Sequence, residues 1–260
     1  METLRVPRAD LAPAMEKTHL KLDIAMLTRL KVSNAALTAL KLIGITAMLL
    51  DHYNSFVKPE YSPILYEVGR LALPLFVFVL GYNLARVPVA KLPQIMGRLL
   101  LFGIIATPIY NLLGGGLWYW WPLNILFTLW VAVCTVYLLS VPVAKRYVIA
   151  VRVCAVLFFA GAGSLVDYFW VGPALVVVIW RLFSPASRYQ RTLLNASLLV
   201  LAVLLCVLNK SVAALLALPL ILVILHYYQA RQLPRMKWFF YWFYPGHLLG
   251  LLLIKNLLGG

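Results

Sequence analysis

Charge is scarce in this chain of 260 residues. Only 12% of them are charged and just eight are acidic, where a soluble domain carries about a quarter charged residues. That shortfall excludes an ordinary soluble globular domain. Cysteine is scarce as well. The three present, Cys134, Cys154 and Cys206, each sit in an apolar run without a short-range partner. They offer neither a disulfide framework nor metal spacing and read as small buried hydrophobes. The chain shows no Ser-His-Asp spacing, no Gly-rich phosphate loop, no repeat with a period of roughly 20–50 residues and no low-complexity tract. No cleavable signal peptide is expected, since the first apolar run starts too late and is too long.

Apolar sequence is what is there. Hydrophobic residues make up 63% of the chain, in runs over 35–57, 71–84, 99–113, 123–140, 147–163, 168–183, 192–208, 212–228 and 238–258. Several fall short of the ~20 residues that a straight spanning helix needs. Pro74, Pro108, Pro173 and Pro219 lie in or beside them, which predicts kinked or broken helices. The expected fold is an all-α polytopic membrane protein of about nine transmembrane helices over 35–260, preceded by a basic segment over 1–34.

The net charge of +15 invites a nucleic-acid function that its distribution rejects. With the amino terminus in the cytoplasm, nine spans place all but four of the 23 Lys and Arg on the inner side. Lys58, Arg70, Lys210 and Lys255 are the exceptions. This is the positive-inside asymmetry, so the basicity is topological, and attraction to anionic membrane lipid follows from it. Within the first segment, Leu20, Ile24, Leu27 and Leu30 recur at helical spacing with Lys21, Arg29 and Lys31 interleaved. That pattern predicts an amphipathic helix on the cytoplasmic leaflet. Between the third and fourth runs, Gly114 to Gly116 break the helix, and Trp118, Tyr119, Trp120 and Trp121 fit an aromatic belt at the outer interface.

Ionisable residues inside apolar helices mark sites of function by default. His52 lies eleven residues beyond Lys41, roughly 16 Å along a helix, and His247 lies ten beyond Lys237, roughly 15 Å. In a hydrocarbon core about 30 Å thick, both approach the midplane at matching depth. Asp51 and His52 project about 100° apart, so each needs a partner on another helix or a water-filled cavity. Tyr244-Pro245-Gly246 is expected to unwind the last helix just before His247. Arg70 would start the second span at the outer face, Asn124 would open the fourth, and Asp167 would be solvated in an outer loop.

The stretches "LKLIGITAMLLDHYNSF", "GRLALPLFVFVLGYNLAR", "NILFTL" and "FYWFYPGHLLGLLL", in that order, resemble the TraX family of bacterial inner-membrane proteins associated with pilus biogenesis. The resemblance covers roughly 38–130 and 238–254. It implies multi-pass residence in the inner membrane and acetylation of a pilin amino terminus, with acetyl-CoA as donor and the pilin subunit as partner. Position by position, Asp51 and His52 match the family's Asp-His pair. Arg70 with Pro74 and Phe76 matches "GR…PLF", and Asn83 matches the polar position closing that helix. Arg98 opens the third helix, Asn124 is the "NILF" asparagine, and His247 is the terminal histidine.

Amine acetylation needs a base for the amine proton, and a histidine near its ordinary pKa of ~6.5 suits that task. His52 is the expected base, supported by Asp51, and His247 is the alternative base or a donor to the thioester carbonyl. Arg70, Asn83, Arg98 and Asn124 are the expected substrate-binding set. Arg86, Lys91 and Arg98 at the cytoplasmic ends could hold the coenzyme's phosphates. Two other classes stay open: a non-catalytic pilin accessory factor that holds a hydrophobic helix before assembly, and a transporter or proton relay. The want of a two-fold repeat speaks against the transporter.

Overall fold

A computed structural model describes residues 32–58, 60–114, 116, 120–229, 231–234 and 236–258. The amphipathic helix expected before residue 32, and Trp118 and Tyr119 of the aromatic belt, lie outside the described residues. The described residues form ten α-helices and three short 3-10 turns: α1 (Asn34–Phe56), α2 (Pro63–Gly69), α3 (Ala72–Leu84), α4 (Leu92–Gly114), α5 (Ile125–Ser140), α6 (Val148–Gly163), α7 (Val171–Leu182), α8 (Arg188–Asn209), α9 (Ala217–Tyr228) and α10 (Lys237–Leu258). Among the described residues, five segments are long and apolar enough to cross a membrane: Asn34–Phe56, Pro63–Leu84, Val89–Gly114, Lys145–Gly163 and Arg188–Asn209. Ile125–Ser140, Val171–Leu182 and Ala213–Tyr228 are apolar but shorter.

Local chemistry sets the helix ends. Ser33 caps α1 by accepting from the Ala36 amide, and its hydroxyl donates to the Tyr228 carbonyl at 2.8 Å, tying α1 to the end of α9. Asn124 caps α5, and Ser187 with Gln190 forms a capping box on α8. Lys210, at φ 50°, closes α8 in the left-handed conformation.

Of the breaks expected at proline, one occurs at Pro74. Pro74 cannot bond to the carbonyl of Arg70, and its ring crowds that oxygen. The second segment breaks there, with α2 ending at Gly69 and α3 resuming at Ala72. Pro173 and Pro219 stand in the first turns of α7 and α9, where no amide partner is lost. Helix α4 runs on through Pro108 and α10 through Pro245. The unwinding expected before His247 does not occur, and the helix carries that ring without interruption.

The short apolar helices occupy the middle. Leu40 on α1, Leu75 and Val77 on α3, Val133 and Val136 on α5 and Val176 on α7 are fully buried. Close approach of α3 and α7 depends on Gly81, whose added Cβ would fall 2.7 Å from Ile179 Cγ2. Helix α10 packs against α4, with Phe102 against Tyr241 and Trp242 at ring separations of 5.4 and 5.0 Å. Helices α6 and α8 are peripheral. Each buries only two residues, Ala155 with Gly163 and Leu205 with Asn209. An apolar helix that buries so little protein surface has lipid as its natural solvent. Cys154, on α6, is accordingly exposed, whereas Cys134 is buried as expected.

Candidate functional site

Three polar residues within four positions near the end of α1, Asp51, His52 and Asn54, reach in three directions. Asn54 is buried and grips the chain leading into α2: its Nδ2 donates to the Ser62 carbonyl at 3.0 Å, and its Oδ1 accepts from the Ser62 amide at 2.7 Å. Asp51 pairs with Arg70, NH2 to Oδ1 2.5 Å. His52 pairs with His247, Nδ1 to Nε2 2.9 Å, with the rings 5° from parallel. Asp51 and His52, expected to work as neighbours, thus serve two separate pairs. A 100° turn between consecutive helical residues gives each its own neighbour.

The break before Pro74 explains how Arg70 arrives. Arg70 is not at the outer start of the second segment, as expected, but seven residues along from Pro63, at the interruption between α2 and α3. Gly69 lets the broken end lie against α1. The guanidinium is held further by Tyr66, whose ring lies 4.3 Å beneath it. It also donates to Asn209 Oδ1 at 3.4 Å and to the Tyr168 hydroxyl at 3.5 Å. Tyr66 in turn donates its hydroxyl to the Asn209 carbonyl. Helices α1, α2 and α8 and the α6–α7 loop therefore converge on one cation.

The histidine pair has a determinate hydrogen-bond direction. The Phe243 carbonyl can only accept, and it lies 2.9 Å from His247 Nδ1, so that nitrogen carries the hydrogen. In a neutral pair His247 Nε2 is then the acceptor and His52 Nδ1 the donor. His52 Nε2 is left as the free lone pair.

The ion pair and the His52 member of the histidine pair border a cavity of about 260 Å³. Asp51, His52 and Phe56 of α1 line it with Arg70, Tyr110 of α4, Asp167 and Tyr168 of the α6–α7 loop and Asn209 of α8. Asp167 is therefore not the solvated loop residue expected. Burial pushes its carboxyl up to about 6, against a hydrogen bond from the Tyr168 amide and the field of Arg70. The loop is held by pairing with the residues before α5: Leu123 donates to Leu165, and Asp167 donates to Leu123, at 2.8 and 2.9 Å. Thr128 adds a bond to the Asp167 carbonyl at 2.7 Å. Tyr168 and Phe169 hold φ of 59° and 47°, a costly conformation for aromatic residues and one that gathers at working sites.

Of the expected site residues, the fold gathers Asp51, His52, Arg70 and His247. Arg98 lies twelve residues before Tyr110 on α4, roughly 18 Å away, under the Trp238 ring at 4.9 Å. Asn83 lies thirteen residues beyond Arg70, near the same far end. Asn124 spends its amide inside the fold: Oδ1 accepts from the Leu126 amide, and Nδ2 donates to the Gly103 carbonyl at 3.1 Å and to Thr107 at 3.2 Å. Tyr66, Asp167, Tyr168 and Asn209 were not expected. Only Asp167 stood out in the sequence, as an acid in a chain with few of them.

Comparison with known proteins gives a family match. The model of the TraX protein family matches residues 36–255. The protein TraX of Escherichia coli is 32% identical over 216 residues, covering 80% of this chain and 83% of that one. An uncharacterized protein of Rickettsia prowazekii (strain Madrid E) is 33% identical over 66 residues, 25% of this chain and 23% of its own. No solved structure matches.

Proposed function

This chain belongs to the TraX family, and from that premise we propose that it is a membrane-embedded acyltransferase. It moves an acetyl group from acetyl-CoA to the amino-terminal amine of a pilin subunit. The observation that carries this reading is the 2.9 Å bond between His52 and His247, with the far nitrogen of His247 committed to Phe243. A histidine so placed is an oriented base. His52 Nε2 takes the proton of the neutral amine as its nitrogen attacks the thioester carbon. The new C–N bond forms, the C–S bond breaks, and the thiolate of coenzyme A leaves with that proton.

While the proton is held, His52 Nδ1–H can pass to His247 Nε2, so the positive charge is shared between two rings. Arg70, anchored by Asp51, faces the oxygen that gains negative charge in the tetrahedral intermediate. At about 260 Å³ the cavity suits an acetyl group and the end of an amine. The rest of the donor lies outside it, with its phosphates toward Arg86, Lys91 and Arg98. The distribution of Lys and Arg supports a multi-pass arrangement in the bacterial inner membrane with the amino terminus in the cytoplasm.

Intact mass of the cognate pilin, from cells carrying the wild-type gene and cells carrying His52→Ala, tests the reading. One acetyl group present in the first and absent in the second, at equal membrane levels of the protein, supports it. Identical masses would overturn it in favour of a non-catalytic pilin accessory factor.

A further inference from the structure

A second cavity, of about 510 Å³, opens between α5, α6, α7 and α8. Its walls are apolar: Leu139, Val177, Val178, Trp180 and Leu194. Two guanidinium groups, Arg152 of α6 and Arg181 of α7, border the same space. So does Ser140, whose hydroxyl is buried without a hydrogen-bond partner. Leu194 and Asn209 are fifteen residues apart on α8, roughly 22 Å, so this cavity and the histidine site lie toward opposite ends of the bundle.

No carboxylate of the described residues serves these cations. Those residues include four acids, Asp51, Glu60, Glu67 and Asp167. Asp51 is paired with Arg70, and Asp51 and Asp167 border the first cavity. Glu60 and Glu67 lie before and within α2. Asp167 itself follows the end of α6 that is far from Arg152. Arg181 donates to the Pro185 carbonyl at 2.6 Å, which orients it but brings it no carboxylate from the described residues. Two cations and an unpartnered hydroxyl around an apolar space call for a ligand with an anionic head and a hydrocarbon body. Helices α6 and α8, each of which buries only two residues, flank the opening, so that ligand can enter from the bilayer.

We propose that this cavity is a binding site for one anionic phospholipid. Its phosphodiester sits between Arg152 and Arg181 with an ester or phosphate oxygen on Ser140. One acyl chain lies along Val177, Val178 and Leu194. Juxtamembrane basic residues attract anionic headgroups in general; here a cavity turns that attraction into a defined site. The proposal is independent of the acetyl-transfer reading.

The test uses the full chain reconstituted in lipid nanodiscs containing a minor fraction of phosphatidylglycerol in phosphatidylcholine, followed by native mass spectrometry in detergent. The wild type is expected to retain one phosphatidylglycerol per chain in preference to phosphatidylcholine. Arg152→Gln, an exposed position with no bond to the fold, should reduce that retention about tenfold, as expected for loss of one charged hydrogen bond. Leu194→Trp, which fills the chain-binding space while keeping both cations, should reduce it as well. Added inorganic phosphate or coenzyme A should not displace the lipid. Equal retention of the two lipids, retention unchanged in both variants, or displacement by phosphate or coenzyme A would each overturn the proposal.

Discussion

A Cβ placed on Gly69 would lie 2.5 Å from both the Cβ and Oδ1 of Asp51. No side chain fits there, so the ion pair of Asp51 with Arg70 depends on the absence of one. Gly69→Ala is expected to force α1 and α2 apart and cost about 1–3 kcal/mol, the usual range for overpacking a tight contact. Thermal unfolding in detergent measures it. Unchanged stability would mean that the two helices are free to separate.

Asp51 and Arg70 are 17% and 12% exposed, so neither charge is well solvated without the other. Arg70→Gln and Asp51→Asn should each destabilise by up to about 3–5 kcal/mol, and the double variant by less than the sum. A double-mutant cycle on unfolding free energy gives the coupling. Strict additivity would count the pair as incidental.

Under the acetyl-transfer reading the two histidines are unequal. His52→Ala should lower the transfer rate roughly 10²–10⁴-fold, the range expected for loss of a general base. His247→Ala should cost less and move the pH profile, because His52 would lose the acceptor that fixes its tautomer. Single-turnover transfer to an amino-terminal peptide followed by mass spectrometry separates the two. Equal losses with unchanged profiles would contradict these assignments.

Asn124 makes one capping bond and two donor bonds within the fold. Asn124→Ala should therefore lower stability, by about 0.5–2 kcal/mol for the cap alone, while leaving transfer per folded molecule unchanged. A loss of transfer at full stability would return Asn124 to a substrate role.

Asp167 gives a pH signature. Its folded-state pKa of about 6 stands above the 3.8 of an ordinary aspartate, so the folded protein binds the proton more tightly than the unfolded chain. Its contribution to stability is then complete below about pH 4 and is lost as pH rises through about 6. Melting temperatures across that window should fall less steeply in Asp167→Asn than in the wild type. Identical slopes would place the carboxyl in water.

Helices were more legible in the sequence than partners. The run over 147–163 became α6 at Val148–Gly163, and 238–258 became α10 at Lys237–Leu258, because length and hydropathy alone decide where backbone groups need internal bonding. The segment missed was α2, "PILYEVG". Its tyrosine and glutamate gave it the polarity of a loop, and only its burial of Gly69 and its hold on Arg70 make it part of the site. His52 and His247 could be ranked by depth along their helices. Their meeting could not be derived, since depth says nothing about rotation or about which helices are neighbours.

By itself, then, the sequence determines the solvent, the helical class and the few polar residues that must be reconciled with an apolar interior. Tertiary structure decided which of them meet. Asp51 went to Arg70 because Pro74 breaks the second segment and Gly69 leaves room, and His52 went to His247 because α10 stays helical through Pro245. Asn209 and Tyr168, invisible along the chain, joined Arg70 from positions 139 and 98 residues away. Periodicity is a local property that a sequence carries openly. Side-chain pairing between helices is set by packing and by the cost of leaving a polar group unpaired, and those are satisfied only in three dimensions.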